Sequence, residues 1–568
     1  MSNSPRIVIV GGVAGGASAA ARARRLSEAA SIVLFERGPY VSFANCGLPY
    51  HIGGVIADRE RLLIQTPESL YARFDIDVRV NTEVVSIDPI AKVVVARNLK
   101  TMKETREPYD ELVLSPGAEA IRPGIPGAED PRIFTLRNMG DMDAILGRVS
   151  RHGVARALVV GAGYIGLELA EQLHHRGLSV ALVERLPHVL GVADAEMAFP
   201  IHEELVRQGV DLRLGRSVAA FQTDGETLTA TLDNGDLIPC DFAVVSVGVR
   251  PETRLAREAG VLLGSTGGIL VDDQMRTSLP NIYAVGDAVE IRDFVSGDPA
   301  LIPLAGPANR QGRIAAEVIF NRDSHYKATQ GTSICKIFDL SFAMTGLSES
   351  TLRRKGMPCR RIYVHPADHA TYYPGAHPIT LKLLFAPDTG CILGAQAVGM
   401  AGIDKRIDIL AVAQRAGMTV FDLQDLELCY APPFGSAKDV VNMAGFVAAN
   451  VLRGDVALWE PEELDSLLDI QMLVDVRTFQ ENALGTIPGA TCMPVDELRD
   501  RLGELPKDKE LLVFCQVGLR GDVAARLLSQ HGFKVRNLSG GYRRSAMWKG
   551  SHTLPLACES AMQHEDGK

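Results

Sequence analysis

Residues 156–184, RALVVGAGYIGLELAEQLHHRGLSVALVE, decide the fold. The apolar run Ala157-Leu-Val-Val160 reads as a buried strand and enters Gly161-Ala-Gly163-Tyr164-Ile165-Gly166. A stretch of helical period follows, and a second apolar strand, Val180-Ala-Leu-Val-Glu184, ends in an acid. Glycines between a strand and a helix have a mechanical use, because a pyrophosphate needs close backbone approach and free N–H groups at a helix N-terminus. Gly161, Gly163 and Gly166 complete GxGxxG, and Glu184 lies 23 residues after Gly161, where a carboxylate can take the hydroxyls of an adenosine ribose. That carboxylate repels a 2′-phosphate and favours NADH, while Arg185 beside it leaves NADPH open.

The pattern also stands 150 residues earlier, where Arg6-Ile-Val-Ile-Val10 enters Gly11-Gly12-Val13-Ala14-Gly15-Gly16. Val13 takes the place of the middle glycine, with Gly12 and Gly15 to compensate. The next strand, Ser31 to Phe35, ends in Glu36-Arg37, with Glu36 25 residues after Gly11. Two βαβ units of this kind imply a parallel α/β architecture. Further strands close on turns at Ser115-Pro-Gly117, at Gly248 and at Gly286-Asp287, the last in Thr277-Ser-Leu-Pro-Asn-Ile-Tyr-Ala-Val-Gly-Asp287. From residue 331 strands and helices alternate without glycine loops, as in an α+β domain. The chain leaves that domain near Leu452-Arg-Gly-Asp455, crosses a linker at 451–460, and starts a last α/β unit at Pro461.

At 568 residues the chain is too long for one compact core. A net charge of −10, with no run of five Lys or Arg, argues against nucleic acid as a partner. Apolar residues make up 46% of the chain, but none of their runs reaches the length of a membrane span, and the early run Ile7 to Val10 is too short for a secretory signal. The nine cysteines include no CxxC pair, which speaks against a disulfide framework or structural zinc and for a reducing cytosol. No metal site is expected.

One cysteine stands in a distinctive place, in Ser42-Phe-Ala-Asn45-Cys46-Gly-Leu-Pro-Tyr50. This segment, with the two glycine loops and the Gly286-Asp287 turn, resembles the single-cysteine branch of the pyridine nucleotide-disulfide oxidoreductases over residues 5–450. The resemblance implies a homodimer holding FAD at 1–118 and 251–330, NAD(P)H at 119–250, and a dimerisation domain at 331–450. It implies that Asp287 holds the flavin's ribityl chain, that Tyr164 gates NADH, and that Glu168 adjoins the nicotinamide. Ser42, Asn45, Ser115, Gly117 and Gly248 join the cofactor-binding set, and Ser42 and Asn45 count among the CoA contacts as well. Without a second cysteine near Cys46 no internal dithiol forms, so the thiol works either through a mixed disulfide or persulfide with a small thiol, or through a sulfenic acid. The second chemistry belongs to NADH oxidases and peroxidases, which carry a histidine where this chain has Ala14. The first belongs to coenzyme A-disulfide and persulfide reductases. Ser18, Arg22 and Arg25 share one face of the first helix, either as a solvated face or as a cradle for CoA phosphates. In Leu428-Cys-Tyr430-Ala-Pro-Pro-Phe-Gly-Ser-Ala-Lys438, the resemblance makes Tyr430 the phenol near the sulfur across the dimer and Lys438 a CoA contact. Tyr372 or Tyr373 supplies a second phenol. One departure counts against CoA-specific recognition: Phe74 stands where coenzyme A-disulfide reductases carry a basic residue.

At the end of the chain Glu510-Leu-Leu-Val-Phe-Cys515-Gln-Val-Gly-Leu-Arg520 reads as a buried strand entering a loop and a helix. Loop N–H groups pointing inward stabilise an anionic sulfur on Cys515. Four residues separate Cys515 from Arg520, one fewer than in a phosphatase cradle, and the smaller ring suits a persulfide. With Val474-Asp475-Val-Arg477, Gly485-Thr-Ile-Pro-Gly-Ala490 and Leu538-Ser-Gly-Gly-Tyr542, residues 461–556 resemble a rhodanese domain, which makes Cys515 and Arg520 catalytic. The combined expectation is a cytoplasmic NAD(P)H-dependent reductase of CoA disulfide, persulfides or polysulfide. Its sulfur traffic would be shared with a sulfurtransferase. An NADH oxidase or peroxidase, and a sulfur-carrier or redox-sensing module, stand as the other readings.

Overall fold

The computed structural model describes residues 4–225 and 227–552. They form two compact units, one from the stretches ending at Val183 and running Ser217–Gly331, the other from Glu184–Arg216 and from Thr332 onward.

In the first unit the strand Arg6–Val10 lies at the centre of a parallel sheet, between Ser31–Phe35 and Glu111–Leu114. Asp77–Arg79 and Ile282–Ala284 complete its edges. Flanked on both sides, the central strand is apolar from Ile7 to Val10, as a strand covered on both faces requires. The following helix, Ala14–Leu26, packs against Ala305–Ile319 closely enough that a Cβ on Gly312 would meet the Gly15 carbonyl at 2.1 Å. A second parallel sheet repeats the scheme with Ser179–Glu184, Arg156–Val160, Phe242–Val245 and Ile133–Phe134 side by side. Both nucleotide-type loops therefore leave the carboxyl ends of central parallel strands.

In the second unit an antiparallel sheet runs in the order Ser333–Ile337, Leu340–Gly346, Ile392–Gly399, Thr380–Phe385, Arg360–Val364. Helices Ile403–Arg415 and Val440–Arg453 cover it. A parallel sheet follows, with Glu510–Phe514 between Gln471–Asp475 and Val535–Leu538.

The expected linker at 451–460 is corrected. The helix continues to Arg453, and Leu458–Trp459 already pairs with Asn537 and Leu538 as an edge strand of the last sheet. Trp459 is buried and donates its indole N–H to the Val513 carbonyl at 3.0 Å, an apolar anchor that residue spacing alone does not mark. One apolar cluster includes both Leu381 of the antiparallel sheet and Val513 of the parallel one. No helix among the described residues is long and apolar enough to cross a membrane.

Candidate active sites

The first glycine loop is shaped by the protein around it. Gly11 has φ +96°, and a Cβ there would lie 2.0 Å from the Ser115 carbonyl oxygen; one on Gly16 would lie 1.9 Å from the carbonyl of Gly11. Gly12 and Gly15 face Leu34 and Val41, and Val285 and Ser115, so packing also demands their smallness. Val13 precedes the helix Ala14–Leu26 at its N-cap. Glu36 accepts the Gly12 N–H at 2.9 Å and the Gly38 N–H at 2.8 Å, while burial raises its carboxyl above the ordinary range. A cleft beside Glu36 and Arg37 is lined by Gly11, Phe35, Val84 and Pro116. In the second loop Gly161 has φ +101° and Gly166 touches its carbonyl, but a Cβ on Gly163 would meet nothing within 4 Å. That open side at the head of helix Tyr164–His175, with Tyr164 and Ile165 in its first turn, is where a phosphate can approach. Glu184 ends its strand and accepts the Leu186 N–H at 2.8 Å.

Cys46 sits in the single turn Asn45–Gly47, ahead of helix Leu48–Gly53. Ser42 takes a left-handed conformation, φ 49°, and donates its N–H to the Gly12 carbonyl at 2.8 Å, which folds the cysteine segment back onto the first glycine loop. Helix Leu48–Gly53 lies against Tyr164–His175, where Gly53 leaves room for Gln172. Tyr50 thereby donates to Glu168 Oε1 at 3.1 Å. Burial pushes the Glu168 carboxyl up to about 7, with a smaller push from Glu171 against the Tyr50 bond.

Arg137 completes this site, and sequence reading missed it. Its Nη2 donates to Asp287 Oδ2 at 2.9 Å and its Nε to the Ala118 carbonyl at 2.9 Å. Burial raises the Cys46 thiol above its usual value, and the carboxylates of Glu168 and Asp287 add to this. Arg137 and the backbone amide of Cys46 itself oppose it. Asn45 Oδ1 is buried beside the thiol without a hydrogen-bond partner. Ser115 lies against Gly11 and Gly15, Gly286 has φ +85° and donates to Gln311 Oε1 at 2.7 Å, and Gly117 and Gly248 turn at positive φ. The cleft at Glu36, the glycine cradle and the polar end at Asp287 fit a dinucleotide flavin, and the open Gly163 loop fits a second, exchanging dinucleotide.

The three residues expected on the first helix are engaged within the protein. Arg22 pairs with Glu317 at 2.6 Å, Ser18 donates to Asn309 Oδ1 at 2.7 Å, and the Arg25 guanidinium lies 5.1 Å from the centre of the Phe74 ring. Phe74 thus supports a cation from the first helix in place of carrying one.

In the second unit the two adjacent tyrosines have different partners. Tyr372 and Tyr430 share a hydrogen bond of 2.8 Å between their hydroxyls, and Tyr373 stacks edge-on with His369. Arg406, almost wholly buried, joins the two loops that carry the pair: its Nη2 donates to the Asp368 carbonyl and to Asp439 Oδ2, each at 2.7 Å. Lys438, just before Asp439, is exposed.

Cys515 is buried at the end of strand Glu510–Phe514, and the Gly518 N–H points at its sulfur at 3.2 Å. Gly541, φ +66°, seats the loop; a Cβ there would lie 2.6 Å from the Cys515 carbonyl oxygen. Arg477 is held by Asp475 at 2.7 Å, by Gln516 Oε1 at 3.1 Å and by the Gly485 carbonyl at 2.6 Å. Arg520 forms a two-point pair with Glu481, Nη1 to Oε2 at 2.7 Å and Nη2 to Oε1 at 2.6 Å.

A further cluster had no signal in the sequence. The carboxylates of Asp194, Glu196 and Glu349 converge closely enough to ligate a cation, but Lys382 Nζ already lies at 2.8, 2.6 and 2.8 Å from them. Arg544 stacks over Tyr363 and pairs with Glu460 and Glu462, and Arg361 reaches both acids and Glu349.

Comparison with known proteins agrees with this organisation. Residues 5–312 match the pyridine nucleotide-disulphide oxidoreductase family, residues 332–440 its dimerisation domain, and residues 460–546 the rhodanese-like domain. A coenzyme A disulfide reductase of Staphylococcus aureus is 39% identical over 445 residues, 78% of this chain and all of that protein. The crystal structure of reduced Bacillus anthracis CoADR-RHD is 47% identical with a TM-score of 0.94, covering 96% of this chain and 98% of that one. An NAD-dependent persulfide reductase from A. fulgidus is 35% identical with a TM-score of 0.89, covering 96% of this chain and all of that one. The chain belongs to the pyridine nucleotide-disulphide oxidoreductase family, enzymes of NAD(P)H and FAD, and bears a rhodanese domain behind its dimerisation domain.

Proposed function

We propose that the chain, as a homodimer, uses NADH to reduce CoA disulfide and small-thiol persulfides or polysulfide at Cys46, while Cys515 carries sulfane sulfur. One observation carries the reading. Cys46, the lone cysteine of its segment, is exposed beside the unpartnered Asn45 Oδ1 and within the influence of Arg137, Asp287 and Glu168. Such a thiol exchanges electrons with an external sulfur, as the names of the S. aureus and A. fulgidus relatives also suggest.

FAD held at the first glycine loop would supply, at the expense of NADH, the electron pair that the sulfur bond takes up. The chain's residues set the rest. Cys46 attacks as thiolate, the form that Arg137 favours against burial and two carboxylates. Attack on CoA disulfide forms a mixed disulfide and releases one CoA thiolate; reduction of that bond releases the second, so CoA disulfide, NADH and a proton give two CoA and NAD⁺. With a persulfide the same two electrons give thiol and sulfide. Glu168, titrating at about 7 and steadied by Tyr50, holds or gives a proton at working pH. In this reading the Tyr372–Tyr430 pair steadies the departing thiolate across the dimer.

The test is anaerobic NADH oxidation with CoA disulfide, CoA persulfide, polysulfide and peroxide, compared by kcat/KM in the wild type and in Cys46→Ser. The variant should keep flavin absorbance and lose the sulfur substrates. Retained sulfur turnover in Cys46→Ser, or peroxide as the preferred substrate of the wild type, overturns the reading.

A further inference from the structure

The Cys515 loop contains one charged residue, Arg520, and that charge is already answered. Glu481 grips the guanidinium with both oxygens, as a planar fork matches a carboxylate. Glu481 is itself fixed, since it stands in the capping box of helix Phe479–Ala483, its Oε2 accepting the Thr478 N–H at 3.0 Å and hydroxyl at 3.1 Å. The Arg520 bond outweighs burial and holds the Glu481 carboxyl down at about 2, so the pair is charged and mutually neutralised throughout the physiological range. Arg477, one of the neighbouring cations, is held by Asp475, Gln516 and Gly485. Leu519 beside Arg520, and Phe479 and Leu484 within three residues of Glu481, are apolar and exposed, at 62%, 51% and 91%.

We infer that Glu481 is a specificity-determining residue of the Cys515 site, turning it from the thiosulfate dianion towards persulfides of small thiols whose sulfur ends an uncharged aliphatic arm. The inference rests on the reading of Cys515 as a sulfur carrier. In the favoured reaction the Cys515 thiolate attacks the terminal sulfur of R–S–S⁻. The donor S–S bond breaks, R–S⁻ leaves with its electron pair, and Cys515–S–S⁻ forms, with no net oxidation. Thiosulfate would deliver the same sulfur and release sulfite, but at Arg520 its two charges meet a cation that Glu481 already neutralises. The exposed apolar side chain of Leu519, next to Arg520 in the loop, suits the aliphatic arm.

The experiment uses the full chain with Cys46→Ser, cyanide as acceptor, and either thiosulfate or N-acetylcysteamine persulfide as donor, read as thiocyanate formed and as one sulfur atom added to Cys515 by mass. The wild-type loop should prefer the persulfide by at least about tenfold in kcat/KM. Glu481→Gln should raise the thiosulfate value about tenfold relative to the persulfide, a gain lost at high salt and in Glu481→Gln/Arg520→Gln. Equal use of both donors by the wild-type loop overturns the inference without any variant, as does an unchanged donor ratio in Glu481→Gln. If neither donor adds sulfur to Cys515, the carrier reading itself fails and the inference falls with it.

Discussion

Lys382 Nζ lies 2.6 Å from Glu196 Oε1, and both side chains are buried. The lysine comes from the middle of the antiparallel sheet and the acid from helix Ala195–Arg207, 186 residues apart in the chain. Burial alone would discharge both. Instead the attraction of Lys382 and Arg544 wins at Glu196, and that of Glu196, Tyr363, Asp194 and Glu349 wins at Lys382, whose ammonium is held well above its ordinary range. Replacing Lys382 with Met should cost about 3–5 kcal/mol, because it leaves buried carboxylates without their cation. Thermal unfolding of the two proteins at neutral pH checks this.

The same cluster sets a pH window. Glu196 and Glu349 are held below the usual carboxylate range, in both cases by cations overcoming burial, so their contribution is present above that range and lost as pH falls through their depressed values. Lys382 is raised, so its contribution is present below the usual lysine range and lost as pH climbs towards its elevated value. The cluster's contribution to the melting temperature should hold a plateau from about pH 5 to pH 10 and fall on the acid side. Lys382→Met should flatten the acid limb, which differential scanning calorimetry can read.

Glu168 acts on the reactive thiol through charge. Its carboxyl titrates at about 7 and, when ionised, raises Cys46. Glu168→Gln should therefore increase iodoacetamide capture of Cys46 at pH 8 by about two- to fivefold and remove an inflection near pH 7 from the rate profile. Arg137→Gln should do the opposite, slowing alkylation.

The paired phenols make a sharper comparison. Tyr430→Phe breaks the hydroxyl bond to Tyr372 and should lower kcat/KM for CoA disulfide by about tenfold or more. Tyr373→Phe, whose ring packs on His369, should stay within about twofold.

Arg406 is the positioning residue behind that pair. Arg406→Leu leaves the buried Asp439 with only Lys405 at 3.8 Å for a cation and frees the Asp368 loop, at a cost of about 3 kcal/mol. Near-ultraviolet circular dichroism from Tyr372 and Tyr430 should diminish before global unfolding.

What the sequence discloses is what repeats locally. Gly161 to Gly166, Gly11 to Gly16 and the loop Cys515 to Arg520 each place strand, turn and helix within a few residues, so spacing alone fixes their geometry. Arg137 and Asp287 are 150 residues apart, Glu481 and Arg520 39 apart, and nothing near either partner announces the other. Tyr372 and Tyr373 are adjacent in a loop without regular period, so only the fold distinguishes them. Trp459 looked like linker because one bulky residue outside a periodic run carries no phase; its indole bond to Val513 made it part of the sheet.

That anchoring has an evolutionary and practical corollary. With Trp459 set into the last sheet, Arg544 stacked on Tyr363, and one apolar cluster reaching from Leu381 to Val513, the terminal module is not a detachable passenger. Excising it at residue 460 would strip partners from Arg361 and bare apolar surface. A shuffled or truncated descendant would therefore have to rewrite the seam on both sides before selection could separate the two sulfur chemistries.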